Sequence, residues 1–209
     1  SFADFGGTFS ARGGATAALA SGAGTVYLRE PGQAEEDGTL LLDSGLATYA
    51  DNLTPISAGV TETAVGRLVV TNGARLLIRQ DQTLSVRREI EYRGFYTADA
   101  NGEAGDDTHA AGTVALVDAA VPATLSGSNV FMRLVCAVPG KTVRFGALAD
   151  PAATNSICRI APGGRFEIEG NEEDPVYLRS TADGVFWLLD IMDGASASVS
   201  HADVKDSDA

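Results

Sequence analysis

The densest supply of oxygen ligands in the sequence is Asp99-Ala-Asn101-Gly-Glu103-Ala-Gly-Asp106-Asp107. Side-chain oxygens at close intervals suit a hard cation, so Ca²⁺ is the one cofactor the sequence points to, with Asp99, Asn101, Glu103 and Asp106 as ligands. The run departs from the EF-hand loop, which needs Gly at the sixth position and Glu at the twelfth; here these are Ala104 and Ala110. A solvated acidic loop accounts for the same residues. Other carboxylates gather at Glu167, Glu169, Glu172, Glu173 and Asp174, and at Asp190, Asp193, Asp203, Asp206 and Asp208. Glycoside hydrolysis would need two of them held several ångströms apart, one with its pKa raised by burial. Nothing in the sequence indicates such burial, and Glu172-Glu173-Asp174 reads as a solvated turn. Arg133, Arg144, Arg165 and Arg179 could serve a lyase, or equally occupy exterior strand positions. The two histidines, His109 and His201, stand apart from any nucleophile motif. No catalytic residue is assigned.

Cys136 and Cys158 lie 158 − 136 = 22 residues apart, each just ahead of a Pro-Gly turn. Neither has a second Cys or His at metal-ligand spacing. If they sat on adjacent coils of a stack, about 4.8 Å apart, a disulfide would be within reach. Closing a loop of that size would stabilise the fold by about 3 kcal/mol. The alternative is a pair of buried free thiols.

These groups must be positioned by strands. The pattern Gly-Thr-[Val/Leu]-x-Leu-x occurs at Gly24, Gly38 and Gly112, and a turn Gly precedes alternating strands at Gly73, Gly140, Gly163 and Gly194. Gly140 and Gly163 differ by 163 − 140 = 23, and Gly73 lies 140 − 73 = 67 before Gly140, close to three times 22. Short runs rich in Val, Leu, Ile and Phe are punctuated by Asn-Gly, Pro-Gly and Asp-Gly. They predict strands at 26–28, 40–42, 68–71, 76–79, 114–117, 130–135, 143–145, 166–168, 176–178, 186–190 and 197–204. Gln82–Tyr92 fits a helix or a strand. The stretches Tyr49–Val65 and Asp99–Ala111 lack strand character and are expected to project as loops. A recurrence near 22 predicts an all-β fold, a parallel β-helix (solenoid) of roughly nine coils of about 22 residues with projecting loops, in one domain spanning 1–209. A β-sandwich is the competing topology.

Composition limits the partners. With 28 Asp+Glu against 15 Lys+Arg, the formal net charge is −13, which repels phosphate backbones and excludes nucleic acid as a natural partner. No apolar run approaches the roughly 18 residues of a membrane span, so membrane insertion is not expected. The chain opens Ser-Phe-Ala-Asp without Met or a signal peptide, and is expected to be part of, or processed from, a longer protein.

Gly22-Ala-Gly-Thr-Val-Tyr-Leu-Arg29, Gly38-Thr-Leu-Leu-Leu-Asp-Ser-Gly45 and Arg67-Leu-Val-Val-Thr-Asn-Gly-Ala-Arg-Leu-Leu-Ile78 resemble segments of large bacterial surface proteins. Gly164-Arg-Phe-Glu-Ile-Glu-Gly-Asn171 and Asp183-Gly-Val-Phe-Trp-Leu-Leu-Asp-Ile191 are similar to phrases of the same proteins. Those proteins are autotransporter passengers and filamentous-haemagglutinin-like adhesins, which carry right-handed parallel β-helices. The resemblance covers about half the chain and carries over no catalytic residue. It implies an extracellular or cell-surface structural or adhesive module, stacked on neighbouring solenoid segments or self-associating head to tail as a fibre subunit. Surface glycans are a further partner class, and a carbohydrate-active or carbohydrate-binding β-helix protein is the alternative.

Overall fold

In Thr142-Val-Arg-Phe145, Val143 and Phe145 are buried while Arg144 is exposed. Such alternation leaves an extended segment only one way to bury its apolar side chains, against a single interior. The computed structural model describes residues 9–12, 23–45, 53–72, 74–93, 112–148 and 156–208. Among these the protein is all-β, with one 3₁₀ turn at Glu35–Asp37 and no α-helix.

The strands begin with β1 (Thr25–Leu28), β2 (Thr39–Asp43), β3 (Leu53–Pro55), β4 (Glu62–Thr71), β5 (Arg75–Leu77) and β6 (Thr83–Arg93). Next come β7 (Thr113–Leu116), β8 (Ala123–Ser126), β9 (Asn129–Cys136), β10 (Thr142–Phe145) and β11 (Ile157–Glu169). The last are β12 (Val176–Ser180), β13 (Trp187–Ile191), β14 (Ser196–Ser200), β15 (Ala202–Val204) and β16 (Ser207–Asp208).

Pairing is parallel throughout the described residues except for β1 on β2, which is antiparallel. Among the described residues fourteen strands form one curled sheet, and β3 with β5 forms a separate pair. Three ladders can be traced. The first runs β2, 67–71 of β4, 89–93 of β6, β8, β10, β12, β15. The second runs 62–65 of β4, 83–86 of β6, β7, 133–136 of β9, 165–169 of β11, β14. The third runs 129–131 of β9, 157–160 of β11, β13, β16. From β7 onward the chain visits the second, first and third ladders in unbroken rotation.

Register stacks like on like. Leu84, Val114, Leu134 and Phe166 stand one above another on the second ladder, and all are buried. On the first ladder Ala123, Val143 and Leu178 do the same. Phe145 stacks on Trp187 with ring centroids 4.1 Å apart and planes 9° from parallel, linking the first ladder to the third. Trp187 also donates from Nε1 to the Lys205 carbonyl at 2.9 Å, so its one polar atom is satisfied inside the core.

The expected spacing near 22 needs correction. Register partners lie 83 − 62 = 21 apart between β4 and β6, and 133 − 113 = 20 between β7 and β9. They lie 113 − 83 = 30 apart between β6 and β7, and 177 − 142 = 35 between β10 and β12. Extra residues between strands lengthen some circuits without changing the register of the strands they join. The Gly140–Gly163 spacing is not one circuit: Gly140 leads into the first ladder and Gly163 into the second. The true partner of Gly163 is Gly194, whose carbonyl accepts from Gly163 N at 3.1 Å. Both glycines have positive φ, 76° and 84°, a turn conformation that a side chain would strain. The longest ladder has seven strands among the described residues, fewer than nine.

One further reading changes and one open alternative is resolved. Tyr49–Val65, expected as a loop, contains β3 and the first half of β4. Gln82–Tyr92 is strand, within β6 except for Gln82. Asp99–Ala111 lies outside the described residues.

Candidate functional site

Lys141 follows the Pro139-Gly140 turn, where Gly140 takes φ 75° and Lys141 N donates to the Val138 carbonyl at 3.1 Å. The residue shares strand parity with Val143 and Phe145, so its side chain goes inward, and it is fully buried. A lone ammonium in that place would cost several kcal/mol. Instead Nζ donates to four backbone carbonyls: Arg87 O at 2.7 Å, Val117 O at 2.7 Å, Asp118 O at 2.9 Å and Val121 O at 2.7 Å. An ammonium has three N–H groups, so at least one is shared between acceptors. Arg87 lies on β6, and the other three acceptors lie between β7 and β8. Lys141, leading into β10, therefore ties together three successive circuits.

Two of those residues also work on the outside of the same corner. Arg87 donates to Asp118 Oδ2 from Nε at 3.1 Å and from Nη2 at 2.6 Å, and to Asp37 Oδ1 from Nη1 at 2.6 Å. Asp118 takes φ 68°, and its Oδ1 accepts from Ala120 N at 3.0 Å. The Arg87 hydrogen bond holds the Asp118 carboxyl below the usual range, with the Ala120 amide helping. The same hydrogen bond raises Arg87.

Burial pushes Lys141 down to about 8, opposed by the Cys136 thiol and the Asp118 carboxylate. The four carbonyls favour the charged form as well, because they can only accept. Burial pushes the Cys136 thiol up, and Cys158, also buried, up to about 12. Neither thiol is a ready thiolate, and Lys141 is fully engaged by acceptors. The corner is built to hold charge in place and offers no nucleophile.

The cysteine pair departs from expectation. Both thiols are free. Cys136 stands opposite Ile168 in register, whereas Cys158 stands opposite Asn129, ten residues earlier on β11. The separation of 22 joins the end of one ladder segment to the start of another, so the two thiols are not register partners.

The carboxylates do not converge. Asp190 pairs with Arg159 at 3.2 Å on the third ladder, and Asp203 with Arg179 at 2.9 Å on the first. Asp206 accepts from Gly184 N at 3.2 Å. Glu172, Glu173 and Asp174 form an exposed turn in which Asn171 Oδ1 accepts from the amides of Glu173 and Asp174. Among the described residues no group of three His, Cys, Asp or Glu could hold a metal ion. The Ca²⁺ candidates Asp99, Asn101, Glu103 and Asp106 lie outside them, as does His109. His201 sits at a corner with φ 48°, between β14 and β15 and not within a strand. Lys141 escaped notice in the sequence, although its parity with Val143 and Phe145 signals an inward side chain.

The last circuit contrasts with this corner. Among the described residues β14, β15 and β16 each pair on one side only. Val199 and Val204 continue the inward columns of Ile168 and Leu178, yet are 50% and 47% exposed. β14 reads Ser-Ala-Ser-Val-Ser and carries no charge.

No helix of the described residues is long and apolar enough to cross a membrane. No protein-family model, no characterised protein and no solved structure matches the chain.

Proposed function

We propose that the chain is a right-handed parallel β-helix whose three ladders are the faces of one coil, acting as a structural or adhesive module of an extracellular or cell-surface protein. The rotation of the chain through the ladders supports this most directly, and crossovers between parallel strands are right-handed in nearly all proteins. Columns of Leu, Val, Ile and Phe along a common axis, bounded by hydrogen-bonded ladders, give stiffness without a cleft. The carboxylates and arginines serve rung-to-rung ion pairs, which favours a scaffold over a hydrolase.

The exposed, uncharged edge of β14 and the open valines beside it are the features that proteins normally blunt when an edge is to stay single. We assign this end as the association surface, where a neighbouring solenoid segment or a second copy adds the next strands. Head-to-tail addition would generate a fibre, since a contact that does not close propagates. The β2 end differs, because β1 there runs antiparallel. Electron microscopy and light scattering on concentrated protein test the assignment. Filaments or discrete end-joined oligomers that dissolve on Val199→Lys support it, and a monomer at all concentrations overturns it.

A further inference from the structure

Two pairs of arginines stand directly opposite each other in register. Arg133 faces Arg165 between β9 and β11, and Arg144 faces Arg179 between β10 and β12. Neighbouring parallel strands are about 4.8 Å apart, so like charges at such positions repel unless an anion lies between them. On the second ladder the protein supplies that anion. Glu167 Oε2 accepts from Arg133 Nε at 3.0 Å and Nη2 at 2.6 Å, while Oε1 lies 4.0 Å from Arg165 Nη1.

On the first ladder the corresponding acid is missing. Arg179 turns away toward the next strand, donating to Asp203 Oδ2 at 2.9 Å and to the Asp203 carbonyl at 2.7 Å. Arg144 is exposed and makes no ion pair among the described residues. Its register neighbour on the other side is Thr124, which can offer only a hydroxyl. Beside this column runs Thr142 opposite Tyr177, and the Arg179 guanidinium lies 5.1 Å from the Tyr177 ring centroid. The outer face of β8, β10 and β12 thus presents an unmatched guanidinium, two hydroxyls and an aromatic ring in a chain of net charge −13.

We propose that this face binds a carboxylate-bearing glycan, whose carboxylate takes beside Arg144 the place that Glu167 takes beside Arg133. A guanidinium receives a carboxylate through two parallel N–H···O bonds. Thr124 and Thr142 meet sugar hydroxyls, and Tyr177 offers an apolar edge to a pyranose ring. A polyphosphate has no apolar face to set against Tyr177, which favours the sugar. Strand register, ion pairs and the Arg179–Tyr177 contact define this face whether or not the ladders close into a helix.

Calorimetric titration of the full chain with tetragalacturonate, and with the neutral galactose tetramer as control, tests it. Saturable heat is expected with the acidic oligomer alone, weakening as salt is raised. Arg144→Ala should weaken binding about tenfold, the effect of one lost charge-assisted contact, while Arg133→Ala on the bridged pair leaves it unchanged. Thr124→Glu plants the missing acid next to Arg144, and should abolish binding while the circular dichroism spectrum and melting temperature are retained. The proposal is overturned by no heat with tetragalacturonate, by equal binding of the neutral oligomer, or by wild-type affinity in the well-folded Thr124→Glu variant.

Discussion

The corner at Lys141 and the circuit of β14, β15 and β16 are built from the same repeating geometry, yet they treat unsatisfied groups in opposite ways. At the corner a buried charge meets four carbonyls from two neighbouring circuits, and an ion-pair lattice of Arg87, Asp118 and Asp37 covers it outside. At the last circuit, apolar side chains that are buried one circuit earlier emerge into solvent, and three strand edges lack partners among the described residues. In a stack, stability comes from neighbours on both sides. The middle is therefore over-determined, while β14, β15 and β16 present edges without partners among the described residues.

Substitutions should expose this gradient. Lys141→Met keeps the length and removes the donors, leaving several buried carbonyls without partners. The expected loss is about 3–5 kcal/mol by urea unfolding, and a loss below about 1 kcal/mol would mean that the corner is not a clamp. The pH dependence sharpens the same point. With Lys141 lowered to about 8 from 10.5, the folded state binds fewer protons than the unfolded state between those values, so stability should rise with pH there. The raised thiols act in the opposite sense as unfolded cysteines ionise around 9, so the lysine stands clear of them only as pH climbs toward its folded value, in the window from about 7 to 8. Urea midpoints across that window should climb in the wild type and stay flat in Lys141→Met; a flat wild-type profile would show that the carbonyls fully offset burial. Arg87→Ala opens only the outer lattice. Its effect should be severalfold smaller than that of Lys141→Met and should shrink in high salt, as partly exposed pairs do. Smallest of all, Val199→Ala should change monomer stability by less than about 0.5 kcal/mol, although the equivalent buried position one circuit back is Ile168. A large loss at Val199 would mean that the last circuit is covered in solution.

Much of the fold was legible because it rests on short-range rules. Predicted strands at 26–28, 40–42, 143–145 and 176–178 fall on β1, β2, β10 and β12, since alternation and turn glycines act within a few residues. The period was harder to read. Corner insertions alter the spacing between register partners, and equal separations such as Gly140–Gly163 join different ladders. β3 and the first half of β4 were missed because Leu53-Thr-Pro and Glu62-Thr-Ala-Val carry few large apolar residues and become strand only through their neighbours. Lys141 was hidden for the opposite reason. A charged residue beside a turn reads as surface, and only the carbonyls of residues 20 to 54 positions away explain its burial.

The proposed β-helix requires circuits that lie one upon another along a common axis. Glu62, Thr83, Thr113, Arg133, Arg165 and Ser196 are successive register partners on the second ladder. Electron–electron resonance between spin labels at Glu62 and Ser196 should give a separation of roughly 24 Å, five strand spacings, plus the reach of the labels. Moving the first label to Thr83 should shorten it by about 4.8 Å. Distances that do not fall by one spacing per strand would contradict the stacked arrangement.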